Sequence, residues 1–206
     1  MTRWATLVIA LLFSAVGIAR YTDTAFGQTA GSDGWITLFD GKNLDQWQGD
    51  GTATYVIEDG AVTAKDKKDP KAIAYLVSKQ SFKDFEIRAE FWVSDDANSG
   101  IFIRNSNPAH ISTKAGYEAN IFDTRPDPSL GTGALGPFAP ASTVLKTGGK
   151  WNTYEITARG SKFTLVLNGV KTVDNAEDAK FSAAGPIALQ FGEGTVKFRK
   201  VQIKPL

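Results

Sequence analysis

The chain has 206 residues, 23 basic and 22 acidic side chains, a formal charge of +1 and no cysteine. That length suits one domain with a real core, and the missing cysteines exclude disulfides, thiolate chemistry, haem attachment through Cys and a Cys-linked lipid anchor. A near-neutral chain without a Lys/Arg stripe is a poor partner for nucleic acid, and 20 Gly with 13 Phe and 5 Trp favour an all-β fold.

Met1 to Arg3 open with positive charge, Trp4 to Ile18 run apolar and small residues follow, the pattern of a secretory signal peptide. Residues 1–27 are read as that leader, with cleavage after Ala19 or Gly27. The apolar run is near the lower limit for a membrane span of roughly 17–25 residues. The expectation is therefore an exported protein, periplasmic or extracellular, without stable membrane insertion after cleavage. A cut after Gly27 removes Arg3, Arg20 and Asp23 and leaves a formal charge of zero. Residues 28–34 read as a linker and 35–206 as the domain.

Trp35 to Phe39 reads as the first strand, ended by the turn dipeptide Asp40-Gly41, with Leu44 and Trp47 covering a core edge. Tyr55, Ile57 and Val62 flank Asp59-Gly60, a hairpin signature because a type I′ turn needs positive φ at both central residues. Lys65 to Lys71 is a charged, solvated connection. Ala74 to Ser78 is a short strand. Phe85 to Ser94 is a longer one, with Glu86, Arg88, Glu90 and Trp92 on the face opposite Phe85, Ile87, Ala89, Phe91 and Val93. Gly100 to Arg104 and Tyr117 to Asp123 are two strand-like runs whose second faces are polar: Phe102 with Arg104, and Glu118 with Asn120 and Phe122. Thr124 to Lys150 loses all periodicity and is expected to be an ordered wall of a site. Strands then recur at Thr153 to Ala158, Phe163 to Leu167, Val170 to Val173 after Asn168-Gly169, Pro186 to Phe191 and Val196 to Ile203. No segment carries a 3.6-residue apolar period. Short strands, hairpin turns and no crossover helices predict a two-sheet antiparallel β-sandwich of jelly-roll type.

Several chemistries drop out. Gly131, Gly133 and Gly136 form G-x-G-x-x-G, but no helix follows to bind a phosphate. No G-x-S-x-G elbow exists, and His110 is the single histidine, so a metal centre of several histidines is excluded. No cofactor is certain; a hard divalent cation held by oxygens of Glu118, Asp123, Asp127 or Asn105 stays open. Glu118 and Asp123 are five apart, so in an unbroken strand they point to opposite faces.

Six stretches carry a family resemblance: GWITLFDGKNLDQWQ, SGIFIRN, GYEANIFD, TGALGPFAP, KWNTYEITARG with LNGV, and GPIALQF with VKFRKVQIKPL. In this order, from about Gly34 to Leu206, the chain resembles the 3-keto-disaccharide hydrolase domain family, long catalogued as a domain of unknown function. The resemblance implies a concanavalin A-like β-sandwich, typically exported, that cleaves glycosides already oxidised to a ketone at C3. The chain departs from the family pattern at Asn120 and at Leu135-Gly136, where substrate contacts would lie.

A C3 ketone acidifies the C2 proton, so one base and one enolate stabiliser suffice. On this reading Glu118 is the base and Arg104 the cation facing the enolate oxygen. Asp123 and His110 are candidates for protonating the leaving group. Asn120, Gln190, Trp92, Glu90, Phe122 and Asn105 are expected substrate contacts, and an oxidised disaccharide or glycoside is the expected partner. The alternative is a non-catalytic carbohydrate-binding module or lectin-like domain, in which Trp92 and Phe122 stack a sugar and Glu118 only hydrogen-bonds. The motifs do not encode linkage or oligomeric state.

Overall fold

The computed structural model describes residues 31, 33–69 and 71–206; the leader expected over residues 1–27 and part of the linker lie outside them. Thirteen strands are present among the described residues: β1 (Ile36–Phe39), β2 (Trp47–Gly49), β3 (Thr54–Glu58), β4 (Ala61–Lys65), β5 (Ala74–Phe82), β6 (Phe85–Val93), β7 (Asn98–Ile103), β8 (Tyr117–Phe122), β9 (Trp151–Arg159), β10 (Lys162–Leu167), β11 (Val170–Glu177), β12 (Gly185–Phe191) and β13 (Val196–Pro205). The helical piece among them is one 3₁₀ turn, Pro128–Leu130.

The strands form the two antiparallel sheets expected of the sandwich. The larger runs β11-β10-β9-β6-β13-β4-β3, with β1 also on β13; the smaller runs β2-β5-β12-β7-β8. Local chemistry sets the hairpins. Asp59 and Gly60 adopt φ of 51° and 72°, and Asn168 and Gly169 adopt 51° and 79°, the paired left-handed geometry that suits the twist of the flanking strands. β2 has only three residues, too few for alternation to show in the sequence, where Trp47 signals no more than a covered core edge.

The inward faces are the apolar ones. Phe85, Ile87, Ala89, Phe91 and Val93 of β6 are buried with Ile101, Ile103, Tyr117, Ala119, Ile121 and Leu189 of the smaller sheet. Side chains from two such faces interdigitate to make a core about 10 Å thick. Trp47 lies at its margin and donates its indole N–H to Leu38 O at 2.7 Å.

The segment between β8 and β9 is ordered by the strands beside it. Asn120 N–H donates to Ala134 O (3.0 Å) and Gly133 N–H to Asn120 O (3.1 Å), along the free edge of β8. On its other side Ser142 N–H donates to Thr172 O (2.8 Å), and the Thr172 hydroxyl donates to Gly133 O (2.8 Å). The segment therefore covers the outer edges of β8 and β11 and closes one side of the sandwich, as a wall rather than a loose connection.

Candidate active site on the outer face of the smaller sheet

Alternation along β8 sends Tyr117, Ala119 and Ile121 into the core and Glu118, Asn120 and Phe122 outward. Antiparallel register then builds two rows across the sheet. One is Glu118, Phe102, Ala188, Val77; the other is Asn120, Gly100, Gln190, Tyr75. Gly100 is the residue that lets Glu118 lie down. A Cβ at position 100 would stand 2.7 Å from Glu118 Oε1 and 2.9 Å from its Cγ, so the carboxylate rests over bare β7 backbone. The β7–β8 loop and the wall crowd its other side: an added Cβ at Gly136 would meet Glu118 Cβ at 3.8 Å and Thr113 Cγ2 at 3.5 Å.

Burial pushes the Glu118 carboxyl up to about 7, against the opposing pull of the Arg125 guanidinium. A carboxyl so placed is balanced near neutrality between accepting and holding a proton. Across the same face, burial and then the charge of Glu118 push the Tyr75 phenol up to about 12, opposed by the Gln190 amide and reinforced by Asp50. It therefore keeps its proton at neutral pH. The Tyr75 ring meets Phe102 edge-on, with centroids 5.6 Å apart. Gln190 is 4% exposed, and its Oε1 has no hydrogen-bond partner among the described residues. A buried acceptor left empty costs about 1–3 kcal/mol, a deficit that a ligand hydroxyl would relieve.

Four of the expected site residues thus share this face: Glu118, Asn120, Phe122 and Gln190. Asn120 is partly committed to the wall, since its Nδ2 donates to Leu130 O at 2.8 Å.

Arg104 does not join them. Its φ is +50°, so the chain leaves strand geometry at that residue and the parity that would set it beside Phe102 is lost. The guanidinium is buried at the end of the sandwich, donating to Lys83 O (2.6 Å), Gly160 O (2.6 Å) and Asp84 Oδ1 (2.9 Å), with the Phe163 ring 5.2 Å away. Glu90 and Trp92 point outward as expected, but from β6, on the far side of the other sheet. Glu90 pairs with Arg199 at 2.6 Å and Lys200 at 2.7 Å, and Lys197 lies over Trp92 at 5.6 Å. Parity shows that a side chain leaves the core; strand order decides through which sheet.

Asp123 is consumed in pinning the wall. Its carboxylate accepts from the Thr132 hydroxyl (2.5 Å), Thr147 N–H (2.6 Å), the Thr147 hydroxyl (3.0 Å) and Gly148 N–H (3.0 Å). Asn105 shapes the β7–β8 loop, donating to Ser112 O at 3.1 Å and accepting from Asn107 N–H at 3.0 Å. His110 is exposed on that loop, its Nδ1 3.0 Å from Ala109 O. Asp127 caps the 3₁₀ turn by accepting from Ser129 N–H and Oγ. Glu118, Asp123, Asp127 and Asn105 therefore do not converge as a cation cage, and no group of three or more His, Asp or Glu is placed to hold a metal among the described residues.

Sequence reasoning missed Tyr75, Arg125 and Gly100. Tyr75 alternates outward with Val77, so its direction was readable. Arg125 lies in aperiodic sequence and carries no such signal.

The chain matches the 3-keto-alpha-glucoside-1,2-lyase-like domain over residues 34–204. It belongs to that family. The 3-keto-disaccharide hydrolase of Bacteroides thetaiotaomicron is 31% identical to this lyase-like domain over 153 residues, 61% of this chain and 52% of that protein. The chain thus spans about half the length of that relative. Among solved structures, a Parabacteroides distasonis protein described as a glycosyl hydrolase superposes with a TM-score of 0.69 at 18% identity, covering 84% of this chain and 94% of its own. The carbohydrate-binding module CBM66 of Bacillus subtilis superposes with a TM-score of 0.60 at 19% identity, over 77% of this chain and 95% of its own. At these identities the likeness is one of fold, and it agrees with the jelly-roll sandwich expected for the lyase-like domain.

Proposed function

We propose that the domain is an exported carbohydrate-active enzyme that cleaves 3-keto-glycosides by elimination across C1 and C2, followed by hydration. The observation that carries this reading is a carboxyl poised at about 7, half-buried over a glycine, within electrostatic reach of Arg125 and on a face that also carries a protonated phenol. Ionised Glu118 takes the C2 proton, and the electron pair of that bond moves into the C2–C3 bond while the C3 carbonyl oxygen gains negative charge. Arg125, the cation that acts on Glu118, stabilises that oxygen. The enolate then collapses to a C1=C2 double bond, and the C1–O pair departs with the leaving oxygen, which takes its proton from the Tyr75 phenol. Water then adds its oxygen to C1 and gives a proton to the Tyr75 phenolate while Glu118 returns a proton to C2, which completes a net hydrolysis and resets both groups; release before addition gives the lyase product, and both groups then reset by exchange with solvent. Gln190 Oε1 accepts a hydroxyl of the bound ring.

The test is incubation of the domain with 3-keto-trehalose, 3-keto-lactose and their unoxidised parents in D2O, beside enzyme-free controls. Release of monosaccharide from the oxidised substrates alone, with deuterium at C2 above the control, is expected. Glu118→Gln lowers kcat by about 10²–10⁴-fold. Cleavage that gives neither C2 label nor a C1=C2 unsaturated product means direct hydrolysis and overturns the elimination. Wild-type sugar binding with no turnover overturns catalysis in favour of a carbohydrate-binding domain.

A further inference from the structure

A concavity of about 510 Å³ opens on the same outer face, away from Glu118. The less exposed Val77 and Pro186 line it together with the exposed Gln48, Lys79 and Ser81, and Pro108 of the β7–β8 loop completes its lining. Gln48 pairs with Val77 in register, so it extends the row Glu118, Phe102, Ala188, Val77 by one strand. We propose that this cavity is the subsite for the leaving group, and that it selects a neutral hydroxylated ring such as a second sugar. The proposal rests on the function given above and adds to it which side of the scissile bond this chain recognises.

Three observations carry it. The first is span: the Glu118 carboxylate lies over Gly100 of β7, and Val77 lies on β5, two strands and two residues away, about 12 Å on the diagonal. A disaccharide is slightly shorter than that end to end, so with its first ring reacting at Glu118 its second ring extends toward Val77 and the cavity beside it. The second is surface: the volume lies in the range of small-ligand sites, and flat Pro186, Pro108 and Val77 suit the C–H face of a pyranose while the exposed amide, ammonium and hydroxyl suit its equatorial hydroxyls. The third is charge: Lys79 is matched by Asp50, which also lines the cavity, so neither an anionic nor a cationic leaving group is favoured. One hairpin carries both functions, since β8 bears Glu118 and the loop before it supplies Pro108.

The test compares 3-keto-trehalose with methyl 3-keto-α-glucoside, whose leaving group is too small to reach the cavity. In the exposed double variant Gln48→Ala/Lys79→Ala, KM for the disaccharide is expected to rise about tenfold, the equivalent of roughly one hydrogen bond to a hydroxyl. Its kcat stays within about twofold, as loss of uniform binding requires, and methyl glycoside kinetics do not move. Ser81→Trp, which fills the cavity from its exposed side, gives the same split. Equal effects on both substrates, or none on either, overturn the subsite. If the wild-type domain turns over neither substrate, the catalytic reading fails and the subsite is judged by titrating trehalose in NMR. Shifts of the Gln48 amide and Val77 methyl signals then support it, and their absence overturns it.

Discussion

Holding a carboxylate half-buried over Gly100 lowers stability at the pH where that carboxylate is ionised. The folded Glu118 carboxyl keeps its proton up to about 7, whereas its ordinary value is 4.5. Between those limits the folded state binds more protons than the unfolded, so this group's stabilising contribution is present below about 4.5 and is lost as pH rises through about 7. Allowing for partial solvent access, the loss is about 1–3 kcal/mol. Glu118→Gln is therefore expected to raise the urea-unfolding free energy by that amount at pH 8 and to leave it unchanged at pH 4, alongside the fall in kcat given above. In the wild-type protein, kcat/KM rises with pH about a midpoint near 7. Arg125→Gln moves that midpoint upward, because the opposing positive charge is gone. Gly100→Ala has a compatible backbone but displaces the carboxylate, and kcat/KM falls about 100-fold with a stability change within about 1 kcal/mol. Alternation revealed the outward direction of Glu118, Asn120 and Phe122, because a period of two is local. It failed at Arg104, where one left-handed residue of a type that seldom adopts that conformation ends the strand.

Hairpins are the elements most legible in the sequence, since Asp59-Gly60 and Asn168-Gly169 contain their own instructions. The wall over residues 124–150 is the opposite case. Its order comes from partners distant in sequence, the edges of β8 and β11, and from Asp123, whose carboxylate collects two backbone N–H groups and two hydroxyls. An acidic side chain after a strand that also carries Glu118 invites a catalytic reading, and nothing local distinguishes that from an anchor. Asp123→Ala leaves the Thr147 and Gly148 N–H groups without their acceptor and is expected to cost about 2–4 kcal/mol. Limited proteolysis would then cut first within residues 124–150, with the sheets intact by far-UV circular dichroism.

At the scale of the molecule one buried cation ties the two sheets together at an end of the sandwich. Arg104 follows β7 in the smaller sheet and reaches Lys83 and Asp84 in the β5–β6 turn and Gly160 in the β9–β10 turn of the larger sheet. Arg104→Ala leaves two carbonyls without their donor and Asp84 with only the Gly160 N–H, and about 2–4 kcal/mol of stability is expected to go, read as a lower Tm with kcat/KM of the folded protein unchanged. Arg104→Lys rescues little, because one ammonium cannot reproduce a planar fork with three acceptors. The two-sheet architecture was readable from strand count and turn chemistry. The strand order β2-β5-β12-β7-β8, which brings Tyr75 and Gln190 to Glu118, was not, since it joins segments far apart in the chain. The wall has a further consequence for how such a domain diversifies. Because it adds hydrogen bonds to strand edges without supplying a strand to either sheet, and is rooted at one carboxylate, its tip can lengthen, shorten or be exchanged while every register beneath it survives. Substrate range can then drift on a scaffold whose folding problem is already solved.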